Sequence, residues 1–420
     1  MKNRFFFIFL VLFCFAAHCQ HDKTCGTDYY HSVMMYESQY KSAYNHCENK
    51  FLTIPRKNIF NEVYTIPVVF HLICRPGSSP GDFFSGNPDD HTVTNIFLAN
   101  LNHAFRNSGD FNQGVGTDVE IEFCLATKDP NGNSTGGITR FETPLSDSCG
   151  LMVNSHYTDS VKMLTSWNPE KYLNIWIVAD LVDASGFATY PWFPRDHRDG
   201  VIIDILYLSN DYMAGVMLAH EIGHYLGLYH VFYGGCPNDD CLIQGDRVCD
   251  TPPSTQSSFI LSCIDNTCTT DADDTTANNP FNYDVDDNLR TYMNYGYPSC
   301  INQFTYGQAE RMRLMLVYYR SELLSSDGCE NINLTHFYKN PHSAFFNYDH
   351  ENMEIRITHN CVSDIQVTVY DCMGKIVVYK ESNNKNSILL STSSLNNGLY
   401  FVKIESIYGN MILADKVIIY

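Results

Sequence analysis

Three histidines and one glutamate fall within HEIGHYLGLYH, the stretch from His220 to His230. On an α-helix each residue turns about 100°, so His220 and His224 project from one face, one turn apart. Two imidazoles at that spacing reach a single ion, the signature of a zinc site. Glu221 stands beside the first of them, close enough to touch a water in the ion's open position without ligating the ion. Gly227 accepts the backbone angles that end a helix sharply, and the turn it permits brings His230 round as a third nitrogen ligand. Three protein ligands leave one position for water, which separates a catalytic zinc site from a closed structural one. In such a site zinc acidifies the water and polarises a peptide carbonyl. Glu221 takes the proton and returns it to the leaving amine. The competing interpretation is a buried amphipathic helix with incidental histidines, and the joint spacing of five positions disfavours it.

The surrounding chain must hold this helix against a core. YTIPVVFHLIC, from Tyr64 to Cys74, is continuous and β-branched, as expected of a buried strand. A helical pattern follows in TVTNIFLANLNHAFRNSG. DVEIEFCLAT and KYLNIWIVADL then pattern as strands, GFATYPW as an edge strand, and GVIIDILYL as the strand before the histidine helix. The implied architecture is α/β (α+β), with a twisted mixed sheet over the zinc-binding helix, across residues 59–328. Cys236 to about Pro298 is loop-like. FTYGQAERMRLMLVYYRSELL returns to a helical pattern, with Thr305 and Gln308 spaced as a capping box. Upstream, residues 20–58 form a short, Tyr-rich segment of helical spacing that reads as separate from the catalytic part. Past Cys329 short strands alternate with turn residues, which predicts a small all-β sandwich over residues 338–420.

Composition narrows the setting. The net charge of −20 argues against nucleic acid as a partner, because phosphate binding needs clustered Lys and Arg. Lys2 and Arg4 precede an apolar run from Phe5 to Ala17, and small residues follow. That order reads as a secretory signal over residues 1–19, and the run is too short to span a bilayer. No other stretch resembles a transmembrane helix. The expected location is outside the cell or on its surface. Sixteen cysteines in an exported chain make disulfides the default, and six of them cluster from Cys236 to Cys300. Spacing alone does not give their connectivity.

His220-Glu221-x-x-His224-x-x-Gly227-x-x-His230 resembles the zinc motif of the metzincin endopeptidases. TYMNYGYPSCINQFTYGQAERMR resembles their methionine turn at Met293. With GDRVCDTPP, IEFCLATKDPNGNSTGGITR and KYLNIWIV, the likeness is to the pappalysin (cytophagalysin) group, over roughly residues 25–325. It implies a metzincin-like catalytic domain and protein or peptide substrates. Tyr295 is implied as a donor to the oxyanion of the transition state, and Met293 as a floor beneath the zinc. It further implies that Cys25, in CGT, is a zymogen ligand whose thiolate fills the open zinc position within a propeptide of residues 20–58. Pairing of Cys25 with Cys47 is the alternative. Cleavage is expected near Arg56 and Lys57. The pairings implied are Cys249–Cys268 and Cys263–Cys300, leaving Cys236–Cys241, with a second structural zinc disfavoured by export. Relatives bind calcium near GDRVCDTPP, which makes Asp250 a candidate ligand. Equally, Asp246 and Asp250 organise turns there. Arginine-preferring relatives carry acidic residues where this chain has GYPS, so Tyr297 and Pro298 are candidates for an apolar pocket instead.

The C-terminal strands resemble the sorting domain of the type IX secretion system, through YDCMGK and the Leu395–Ile404 core. That likeness implies the type IX machinery as a partner. A carbohydrate- or protein-binding sandwich is the alternative. For the whole chain, the alternative to an enzyme is a surface adhesin on a non-catalytic scaffold, against which Glu221 and Tyr295 both speak.

Overall fold

The computed structural model describes residues 24–56, 60, 62–146, 150–256, 263–296 and 299–329. Of the C-terminal part it describes 344–349, 354–359, 365–371, 374–381, 387–406 and 411–419. The signal expectation, Lys57, and the Tyr297–Pro298 pocket lie outside these residues. The chain divides into two units, Met1–Glu330 and Asn331–Tyr420.

The first unit begins with helices α1 (Thr27–Met34) and α2 (Ser38–Phe51). Its sheet is built on β1 (Tyr64–Cys74), which is buried almost throughout and long enough to serve two neighbours on one side. Tyr64–Val68 pairs with β2 (Ile121–Leu125), and Phe70–Cys74 with β3 (Ile138–Glu142). On its other side lie β4 (Leu173–Val178), then β6 (Val201–Asp204), and at the edge β5 (Gly186–Ala188). All pairings are parallel except β5 with β6. Parallel strands are buried on both faces, which is why β1, β4 and β6 read as unbroken apolar runs.

One face carries α3 (Asp90–Thr92), a π-helical turn (Val93–Leu98), α4 (Ala99–Phe105) and the histidine helix α6 (Asp211–Tyr225). Phe97, Leu101, Leu218, Ile222 and Ile177 share its core. Helix α5 (His156–Thr165), capped by Ser155, and strand β3 were not anticipated. Helix α7 (Tyr306–Tyr319) has the capping box expected of Thr305 and Gln308.

Within the segment expected over 20–58, the described residues 24–56 do not stand apart as their polarity suggested. Tyr30, Met34, Tyr40, Cys47 and Phe51 share a second core with Tyr190, Trp192, Phe193 and Tyr229.

The cysteines correct two of the three implied pairings. Cys263–Cys300 forms, but the others are Cys236–Cys268 and Cys241–Cys249, with Cα separations of 5.3 and 5.0 Å. Asn238 Nδ2 donates to the carbonyls of Thr270 and Asp271, drawing the Cys236 and Cys268 segments together. Cys241 and Cys249 then close one tight loop. Cys124–Cys329, joining β2 to the end of the unit, was not foreseen. Cys25 and Cys47 are both free, which removes the proposed propeptide disulfide. Cys47 lies buried with its Sγ 3.8 Å from Met315 Sδ.

The second unit is the expected two-sheet sandwich. A three-stranded sheet contains β7 (Ala344–Asp349), β8 (Glu354–His359) and β11 (Ser387–Ser391). A four-stranded sheet contains β9 (Ile365–Asp371), β10 (Ile376–Glu381), β12 (Gly398–Ser406) and β13 (Met411–Ile419). Ile355, Val367, Val369, Leu390, Val402 and Ile404 form its core.

Candidate active site

Asn210 caps α6 by accepting from the Met213 N–H, and the helix ends where Gly227 takes φ +95°. That left-handed turn is the one the sequence required, and it folds His230 back beside His220 and His224. Each ring is oriented by an acceptor that cannot donate. His220 Nδ1 lies 2.6 Å from the Tyr292 carbonyl, His224 Nδ1 2.7 Å from the Leu228 carbonyl, and His230 Nδ1 2.7 Å from Asp28 Oδ2. Each Nδ1 therefore carries the proton, and each Nε2 presents a lone pair.

Those lone pairs face one another. His230 Nε2 is 3.2 Å from both His220 Nε2 and His224 Nε2. A tetrahedral zinc with bonds of about 2.0–2.1 Å spaces its nitrogens about 3.3 Å apart. Three buried acceptors aimed at one point repel unless a cation lies between them, so the donor set fits zinc. Burial, and then mutual repulsion, lowers the His220 pKa to about 3 and drives His224 well down, keeping both neutral. The Cys25 Sγ joins the group, one ligand atom from each of the four residues lying within 4.8 Å of the others.

Glu221 is fully buried. Its Oε2 faces Thr27 Oγ1 at 3.4 Å and Cys25 Sγ at 3.5 Å, while Oε1 has no partner. Desolvation raises its pKa to about 8. A Cβ on Gly186 of β5 would stand 2.9 Å from Glu221 Oε1, so the edge strand makes room for the carboxylate there. Met293 is buried under the helix, and a Cβ on Gly223 would stand 2.5 Å from its Sδ. The Tyr295 ring packs 4.9 Å from that of His230, and its hydroxyl lies 3.5 Å from the Cys25 carbonyl. Asp250 is elsewhere, at the start of α7. There its Oδ1 accepts from Thr305 Oγ1 and its Oδ2 from the Gly307 N–H.

Residues 156–317 match the family described as Pregnancy-associated plasma protein-A. That stretch holds the histidine helix, and the protein is a zinc metallopeptidase similar to the pappalysin family. The chain is 27% identical over 265 residues to an extracellular metalloprotease of Sordaria macrospora, a match spanning 61% of the chain and 76% of the relative. An extracellular metalloprotease of Neurospora crassa is 34% identical over 161 residues, covering 36% of the chain and 50% of the relative. A promirolysin variant of Tannerella forsythia superposes with a TM-score of 0.53 at 27% identity, covering 72% of the chain and 97% of that structure. Residues 337–420 match a secretion system C-terminal sorting domain, and the protein is a secreted or cell-surface enzyme. No helix among the described residues is long and apolar enough to cross a membrane.

Sequence reasoning did not find Asp28 or Thr27. Thr27 Oγ1 accepts from the Ala188 N–H at 3.0 Å while facing Glu221. Gly26 N–H donates to the Gly186 carbonyl, and Ser185 N–H to the Thr24 carbonyl. The signal was present in Cys25-Gly26-Thr27-Asp28, a polar run directly after the cysteine.

Proposed function

We propose that the chain is a zymogen whose mature form hydrolyses peptide bonds with zinc held by His220, His224 and His230. The convergence of three Nε2 lone pairs, each fixed by an acceptor behind its ring, carries this reading. When bound, zinc supplies a Lewis acid that acidifies a water and polarises the peptide carbonyl. Glu221 Oε1, buried and without a partner, takes the water's proton and delivers it to the leaving nitrogen. Its burial raises its proton affinity, which suits a group that must hold a proton briefly. Tyr295 donates its hydroxyl to the oxyanion, and the Cys25 carbonyl now stands near that donor in place of a substrate carbonyl. Edge strand β5 offers its backbone to the extended peptide.

Residues 24–27 supply the latency in this reading. Their backbone and Thr27 use the edge backbone groups of β5, and Cys25 would hold the ion together with the three histidines. Burial first, and Glu221 second, push the Cys25 thiol well up, so a dication is what would hold it as thiolate. Maturation follows cleavage near Arg56, whose guanidinium pairs with Glu310 at 2.9 Å. Calcium is not assigned to Asp250, because both its oxygens already accept from α7. The sorting domain hands the enzyme to the type IX machinery.

Zinc analysis of purified protein tests the proposal. One zinc per chain is expected, with loss in His224→Ala. Full peptidase activity in a zinc-free preparation would overturn it.

A further inference from the structure

Glu48, on α2, finds its polar partners in the catalytic part. Its Oε1 accepts from Tyr229 Oη at 2.7 Å and Arg311 Nη2 at 2.5 Å, and its Oε2 lies 2.9 Å from Arg247 Nη1. The carboxylate is buried, as are Tyr229 and Arg311, while Arg247 is half-buried. Arg247 Nε and Arg311 Nη1 are buried donors with no partner even with Glu48 in place. The pocket thus presents more donors than one carboxylate uses.

The two arginines differ in what holds them. Arg311 has a structural bond within the catalytic part, from Nε to the Gly227 carbonyl at 2.7 Å. Arg247 has none. Its other hydrogen bond runs from Nη2 to Tyr44 Oη, so both polar partners of its side chain, Tyr44 and Glu48, lie on α2. Its backbone sits at φ +62°, a left-handed position uncommon for a residue with a side chain. Without α2, Arg247 and Arg311 would lie over the Tyr229 ring without the Glu48 carboxylate. Tyr229 immediately precedes the ligand His230, and its ring is 5.3 Å from that of Tyr190, which in turn is 5.8 Å from His224. An aromatic floor therefore leads from the metal ligands to the pocket.

We propose that the pocket vacated by Glu48 is a subsite of the mature enzyme that binds an acidic side chain of the peptide substrate. The inference rests on the propeptide reading above. A carboxylate is the matching ligand, because two guanidinium forks and a phenol supply only donors to it. A lysine or arginine of the substrate is repelled from the same place.

The test scans glutamate against glutamine through a fluorogenic peptide, from four residues before the scissile bond to four after, using the naturally matured enzyme. At one position kcat/KM is expected to favour glutamate by about tenfold or more, the usual scale of a charged hydrogen bond. In Arg247→Gln that ratio falls to about one, and Arg247→Lys retains part of it. Arg247 is chosen because Arg311 also supports the Gly227 turn. No preference for glutamate at any position overturns the subsite, and so does a preference that survives Arg247→Gln. N-terminal sequencing of the active enzyme separates the two readings. A start beyond Glu48 with no glutamate preference defeats the subsite alone, whereas an active chain that retains Glu48 defeats the propeptide reading and the subsite with it.

Discussion

Replacing Glu48 by glutamine should loosen the segment of residues 24–56 from the mature enzyme by roughly two orders of magnitude. The Glu48 side chain is 7% exposed and that of Arg311 1%, so solvent screens the pair little. Breaking a buried ion pair from one side costs about 3–5 kcal/mol, since the remaining charges stay buried. Glutamine keeps the volume and can still accept from Tyr229 and one arginine, which favours the lower end. About 3 kcal/mol corresponds to roughly 150-fold in affinity. The pH dependence follows from the direction of the shift. Desolvation raises the Glu48 pKa, but the charges of Arg311 and Arg247 outweigh it and hold it below 4.5. A depressed carboxylate contributes fully above its free value and loses that contribution as pH falls through the folded one. The advantage of wild-type over E48Q should therefore be complete above pH 4.5 and shrink in more acidic solution. The assay is inhibition of the mature enzyme by synthetic peptides of residues 24–56 with either residue, and the ratio of the two constants cancels protonation elsewhere. Constants within threefold of each other at pH 7, or a ratio that grows on acidification, refute the reasoning.

Three further outcomes follow from the site and its supports. Cys25→Ser in the full-length chain should mature faster than wild-type, because a hydroxyl is a poorer zinc ligand than a thiolate; gel analysis of propeptide loss over time checks it. Gly223→Ala sets a methyl against Met293 Sδ and should cost about 1–3 kcal/mol by overpacking, read as a lowered Tm together with reduced zinc retention. Asp250→Ala removes an acceptor for two groups at the start of α7 and should cost about 1–2 kcal/mol; the loss should be the same with and without added calcium, as thermal denaturation can show.

The catalytic helix was legible because its chemistry is local. His220, His224, Gly227 and His230 lie within eleven residues, and helical spacing with one glycine is enough to converge them. The parallel strands were legible for a related reason, since burial on both faces writes unbroken apolar runs such as Tyr64–Cys74. Strand β3 was not, because Ile138–Glu142 alternates only weakly and its partner is more than sixty residues away. The cysteines failed for want of the same long-range information. The bonds from Asn238 to the Thr270 and Asp271 carbonyls decide which sulfurs meet, and no spacing encodes them. The role of residues 24–56 lay between these cases. Their helical pattern was readable, but the polar composition suggested a detached segment. Tyr30, Tyr40 and Tyr44 pack on Phe187, Phe193 and Trp192, and the segment's one buried carboxylate finds its cations on Arg247 and Arg311, far along the chain.

The central claim is that zinc on the three histidines, with Glu221 as base, cleaves peptide bonds. Casein hydrolysis by the mature enzyme tests it most directly, measured with and without a chelator and in Glu221→Ala alongside its zinc content. The account predicts that chelation abolishes hydrolysis, that zinc restores it, and that Glu221→Ala keeps its zinc while losing activity by about 10²-fold or more. Hydrolysis that is indifferent to chelation, or that persists at wild-type level in Glu221→Ala, would contradict it.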